Sequence, residues 1–168
     1  PRVRPYQLIH FVISGRGVLE IDGHRFRLGP GDAFLIPEGQ VSYYEASREE
    51  PWTYAWISFL GIQSLNYLRH IMASSEERYV IRELPVEKYV TAVFEILGIQ
   101  EDTTSSHLAV NSCLLRILSF LFGDIAFQEQ GWGQKHAADE IRFYLDMNYS
   151  KHLKLKEVAA HLGFHPHY

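Results

Sequence analysis

Along Trp52–Leu60 the side chains alternate in kind. Trp52, Tyr54, Trp56 and Ser58 fall on one side of an extended chain, and Thr53, Ala55, Ile57 and Phe59 on the other. An indole or phenol face stacks on the apolar C–H face of a sugar, and nearby hydroxyls supply oriented hydrogen bonds. The first side therefore suits the lining of a polyol-binding interior, and the second suits packing on helices. For Trp56 taken alone, a side chain that merely fills the interior is the other reading. The chain holds ten Tyr and three Trp among its 168 residues, a supply that such a site or a large core would draw on. Nine histidines raise the question of metal chemistry. A catalytic metal needs about three positioned ligands, yet His10 and His24 stand isolated and no His-x-His falls within residues 1–60. Neither a metal site nor a cofactor is expected.

Short strands must position these groups. The stretch Gly29–Gly39 orders its neighbours: a turn at Gly29, Pro30 and Gly31 feeds the apolar run Ala33–Ile36, which Pro37 and Gly39 close. Such a run is too short for a helix and reads as a buried strand. Before it come Tyr6–Ile13, a turn at Ser14–Gly17, Val18–Ile21, the hairpin signal Asp22-Gly23, and His24–Leu28. Val41–Ala46, a polar loop Ser47–Pro51 and Trp52–Leu60 follow. Close spacing of strands and turns is the pattern of a small sandwich or barrel.

Composition bounds the function. Hydrophobic residues at 46% support a proper core, and a net charge of −4 opposes a broad basic surface for nucleic acid. The single cysteine, Cys113, has no internal partner, which places the chain in a reducing compartment. With no apolar run of membrane-spanning length and no signal-like start, a cytoplasmic location is expected. An opening at Pro1 reads as the trimmed start of something longer.

Past Gly61 the period becomes helical. Ile62, Leu65, Leu68, Ile71 and Met72 form one stripe; Val86, Val90, Val93, Phe94 and Leu97 form the next, after Pro85. Gln100–Ser106 reads as a polar connection. Leu108–Phe127 carries a stripe through Leu114, Leu118, Leu121 and Ile125 that is wide for one neighbour. Either this helix is wholly buried in its own core, or one side meets the barrel and the other a second subunit. Gln128–Gln134, with Gly131 and Gly133, is the best domain boundary. In Leu155–Phe164, Ala159 and Gly163 stand where a helix-turn-helix needs a small residue and a tight turn, although a helix ending in a glycine cap shares the pattern.

Several residues together resemble the AraC family of bacterial transcription regulators, and within it the members that answer to sugars. They are Gly15-x-Gly17, Gly31-Asp32 leading to Ile36-Pro37, Tyr43-Tyr44, Pro51-Trp52-x-x-x-Trp56-x-x-Phe59, and the segment from Asn148-Tyr149 through Gly163. The resemblance implies an α+β chain: a cupin-like jelly-roll β-barrel, then a helical dimerisation segment, then the first helices of a truncated helix-turn-helix domain. The corresponding divisions are 1–128 for sensing and dimerisation (barrel 1–60, helices 62–128), a linker at 129–135, and 136–168 for the incomplete DNA-binding domain. Metal-binding cupins carry a histidine where Pro37-x-Gly39-x-x leads here to Ser42.

Carried over by position, Tyr44, Tyr54 and Trp56 fall where ligand contacts are expected. Ser14 stands where the best-known member has an arginine that grips sugar hydroxyls, and His10, on the same face by alternation, is either a further contact or a core histidine. The implied homodimer would use Leu114, Leu118, Leu121 and Ile125, and DNA contacts would come from Lys154, Lys156, His165 and His167. The function implied is the ligand-sensing, dimerising part of a DNA-binding regulator of carbohydrate metabolism. It is not an enzyme, its effector is a mono- or oligosaccharide, and operator DNA is bound by the full-length protein alone. The alternatives are the same kind of regulator with another effector, or a cupin enzyme such as a sugar isomerase.

Overall fold

Turn residues cut the first sixty residues into six strands: β1 (Gln7–Ser14), β2 (Gly17–Ile21), β3 (His24–Leu28), β4 (Ala33–Ile36), β5 (Ser42–Ala46) and β6 (Thr53–Phe59). Then follow α1 (Ser64–Ser74), β7 (Val80–Ile81), α2 (Val86–Gly98) and α3 (Thr104–Asp124). The computed structural model describes residues 2–61 and 64–125. The chain divides into two units, Pro1–Phe127 and Gln128–Tyr168, and all the described residues belong to the first. The expected linker 129–135 and segment 136–168, with Lys154, Lys156, His165 and His167, lie outside the described residues.

Two antiparallel sheets dominate the described residues, with a few helices. One has the order β6-β1-β4-β7 and the other β3-β2-β5. Asp22 and Gly23 both take positive φ, 53° and 74°, the requirement of the tight turn joining β2 to β3. The turn ahead of β4 is tied from three sides. Asp32 accepts from the Gly29 amide and from Arg82 Nη1, both at 2.8 Å, and the Leu84 amide donates to the Gly31 carbonyl at 2.8 Å. Gly31 sits there at φ 85°, where a side chain would be strained.

β1 and β4 are buried on both faces. The outer face of β1 meets α2, where Phe11 stacks on Tyr89 with ring centroids 4.7 Å apart. Tyr89 donates its hydroxyl to Asp124 Oδ2 at 2.6 Å, and Lys88 Nζ reaches Asp124 Oδ1 at 2.7 Å, which fixes α2 to the end of α3. Burial, helped by Asp124, pushes the Tyr89 phenol up from its ordinary value. Each large aliphatic side chain buried in such a core contributes about 1.5–3 kcal/mol.

The helices differ from the sequence reading in two respects. α3 starts at Thr104 rather than near Leu108, because Thr103 caps it: its Oγ1 accepts from the Ser106 amide at 3.1 Å. The stripe expected to face a second subunit is also turned inward. Leu118, Leu121 and Ile125 are buried in the chain's own core and Leu114 packs partly against it. A helix period of 3.6 sends Leu108 and Leu115 outward instead, and Phe94 and Leu97 of α2 are exposed as well; all four are 56–67% exposed. By length and composition alone α3 could cross a membrane; here Cys113, Ile117, Leu118 and Leu121 are buried within the protein.

Candidate ligand-binding site

Register gathers the aromatic side chains. His10 stands opposite Phe34 on one side and opposite Trp56 on the other, so all three share the inner face of the larger sheet. From the facing sheet Tyr44, paired with Leu19 of β2, reaches the same place. The His10 imidazole stacks on Phe34 at 4.2 Å and 6°, with Tyr44 at 4.9 Å and Tyr54 at 5.0 Å, both tilted. Trp52 closes the cluster, 5.8 Å from both Phe34 and Tyr54.

A polar group is trapped among these rings. His10 is 1% exposed, and its Nδ1 is buried without a hydrogen-bond partner. Burial first, and then the Arg4 charge, push its pKa down to about 3, so the ring is neutral at physiological pH and one nitrogen is an acceptor. Burial and the neighbouring Tyr44 hydroxyl push the Tyr54 phenol up. A buried polar atom without a protein partner costs free energy that a hydrogen-bonding group reaching it would recover.

Arg4 is the contact that sequence reading missed. Arg2 exchanges backbone hydrogen bonds with Ser42, and the Gly39 amide donates to the Arg4 carbonyl at 2.9 Å, which lays residues 2–4 beside the start of β5. The guanidinium then lies over the Tyr44 ring, 5.3 Å from its centroid, and donates to Ser42 Oγ at 3.2 Å and Tyr44 Oη at 3.4 Å. Neither spacing nor periodicity carries that information. Ser42, at the position where metal cupins have histidine, is thereby a buried hydroxyl held by an arginine. Among the described residues, no three His, Cys, Asp or Glu side chains gather where they could hold a metal ion.

Two sequence candidates sit differently from their expected places. Trp56 lies on the His10 face but is 52% exposed, because β6 is the edge of its sheet and, among the described residues, no strand flanks it further. Its indole is an accessible face at the rim. Ser14 leaves the His10 face altogether. A bulge between Val12 and Ser14 sets Val12 opposite Tyr54 and Ser14 opposite Thr53, so the alternation is broken by one residue and Ser14 is exposed. The structure thus brings together His10, Tyr44 and Tyr54 with Phe34, Trp52 and Arg4, with Trp56 at the edge.

Comparison with known proteins places the chain in a family. The family model described as an AraC-like ligand binding domain matches residues 1–145. The Msm operon regulatory protein of Streptococcus mutans serotype c (strain ATCC 700610 / UA159) is 25% identical over 97% of this chain and 60% of its own length. The lactose operon transcription activator of Staphylococcus xylosus is 26% identical over 90% of this chain and 56% of its own length. The raffinose operon transcriptional regulatory protein RafR of Pediococcus pentosaceus is 31% identical over 49% of this chain and 36% of its own length. The chain therefore spans 60% or less of each of these relatives.

Proposed function

Because the chain belongs to the family of AraC-like ligand binding domains, we propose that it is the sugar-sensing part of a cytoplasmic transcription regulator and has no enzymatic role. Relatives named for a lactose and a raffinose operon support a mono- or oligosaccharide as effector. The observation that carries the reading is the unpartnered Nδ1 of His10, set among aromatic rings and directly across the strands from the half-exposed Trp56. A pyranose stacked on Trp56 would offer hydroxyls toward His10, Tyr54 and the Arg4 guanidinium while its C–H face stays on the indole.

In this reading residues 1–60 form a cupin-like jelly roll, 62–128 carry the self-association surface, 129–135 link, and 136–168 begin the helix-turn-helix domain. The sensing unit forms a homodimer through Phe94, Leu97, Leu108 and Leu115, whose exposed side chains are the large apolar ones that α2 and α3 leave outside the core. Operator DNA is the partner of the full-length protein.

Thermal unfolding of the chain against a panel of mono- and oligosaccharides tests the proposal. A sugar at a hundred times its dissociation constant should stabilise the folded state by about 2.7 kcal/mol. A panel that leaves the transition unmoved, while a non-sugar metabolite raises it, would overturn the sugar assignment.

A further inference from the structure

The smaller sheet turns a second face away from the ring cluster. Alternation along its strands puts Val18 and Glu20 of β2, Arg25 and Arg27 of β3, and Tyr43 and Glu45 of β5 on that outer side. Pairing sets them in two rows, Arg27–Val18–Glu45 and Arg25–Glu20–Tyr43. At the end of this face lies a cleft of about 650 Å³ whose walls include Arg16, Arg25, Arg27 and Arg48. Such a gathering stands out in a chain of net charge −4.

The four arginines are not equally engaged. Arg16 pairs with Glu50 at 3.0 Å and Arg25 with Glu20 at 3.2 Å, both pairs well exposed and so weak. The guanidiniums of Arg27 and Arg48 meet no carboxylate within ion-pair distance among the described residues. Arg82, beside them, is spent on Asp32 and Glu77, and it donates to the Arg27 carbonyl at 2.8 Å, which holds the end of β3 in place. One carboxylate lines the cleft, that of Glu45, and it already accepts the Tyr43 hydroxyl at 2.6 Å.

We propose that this cleft is a second site, separate from the ring cluster, for a phosphate monoester of a small polyol. Arg27 and Arg48 grip the phosphate, whose oxygens match the planar fork of a guanidinium. Glu45 accepts a hydroxyl of the polyol, a role that a purely anionic ligand would not offer it. The volume lies within the range of roughly 300–1,000 Å³ common to small-molecule sites. A long acidic surface such as duplex DNA would instead press its charge against Glu45 and Glu20. The inference stands on the outer face and does not depend on what occupies the inner one.

Calorimetric titration of the whole chain with glucose 6-phosphate, inorganic phosphate and glucose, at physiological salt, tests it. Glucose 6-phosphate should bind, and the paired replacement Arg27→Gln with Arg48→Gln should weaken it at least about tenfold. The unliganded unfolding temperature should not move, since both side chains are exposed and without an acidic partner. Trp56→Ala should leave the phosphate response intact. Binding of inorganic phosphate but not of the ester would overturn the proposal, since Glu45 would then have no polyol hydroxyl to accept. Equal affinity in the double variant, the same heat from sodium chloride at matched ionic strength, or loss of the response in Trp56→Ala would each overturn the proposal. So would retention of duplex DNA through Arg27 and Arg48 without a response to either phosphate.

Discussion

Gly17 and Trp52 compete for one volume: the Cβ that any other residue would carry at position 17 would clash with the Cε3 and Cζ3 carbons of the Trp52 indole. Gly15, two residues earlier, meets the Pro51 carbonyl in the same way at φ 72°. The Gly-x-Gly pair and the Pro-Trp pair are therefore two halves of one contact. Gly17→Val should cost about 1–3 kcal/mol through overpacking and push the indole off Phe34. Chemical unfolding followed by tryptophan emission checks both; wild-type stability with unchanged emission would show that Trp52 is seated elsewhere.

His10 should make stability depend on pH. Its pKa is about 3 in the folded state against 6.5 ordinarily. Between these values the unfolded chain binds a proton that the folded chain refuses, so stability falls as pH drops below about 6.5. The slope from this group reaches about 1.4 kcal/mol per pH unit, and above that pH it contributes none. His10→Phe should flatten the difference curve between pH about 5 and 6.5. Parallel stability curves for the two proteins would rule out a buried neutral imidazole.

Ligand affinity should separate from fold stability at the rim. Trp56 is half-exposed on an edge strand, so Trp56→Ala should weaken sugar binding by more than about 1 kcal/mol while barely moving the unfolding midpoint. Arg4→Gln should weaken it about tenfold if the guanidinium contacts sugar hydroxyls. Titration of each variant against the sugar found by thermal unfolding decides this, and wild-type affinity in both would remove Trp56 and Arg4 from the site.

Charge placed on two neighbouring helical positions should have opposite outcomes. Leu115 is 56% exposed and Leu118 is 4% exposed. Leu115→Glu should split a dimer and leave the protomer folded, whereas Leu118→Glu should unfold it, since a buried unpaired carboxylate costs several kcal/mol. Light scattering and circular dichroism read the two effects. A wild-type protein that stays monomeric at micromolar concentration would end the dimer proposal.

Much of this was legible because strands and hairpins write themselves in period-two alternation and turn chemistry. Asp22-Gly23, the Ala33–Ile36 run and the aromatic side of β6 all follow from neighbours in sequence. What escaped depends on partners far along the chain. Alternation carried Ser14 onto the His10 face until a bulge, which no residue type announces, moved it off. The stripe of α3 read as too wide because α2 and α1 cover more of it than a barrel alone would. Arg4 reaches Tyr44 only because residues 2–4 run beside β5, a pairing across 40 positions.

β1 is read from both sides. Its His10 touches the rings between the sheets, and the next residue, Phe11, carries the Tyr89 ring of α2 on its back. One peptide unit thus separates the proposed sugar site from the helix that carries Phe94 and Leu97. A displacement of this strand by an occupant of the inner face would reach α2 directly through the Phe11–Tyr89 contact, with no loop between. Thermodynamic reciprocity then sets a condition: if filling the inner face changes the self-association constant by some factor, self-association must change the affinity of the inner face by the same factor. Sugar titrations at low and high protein concentration would differ by that one number.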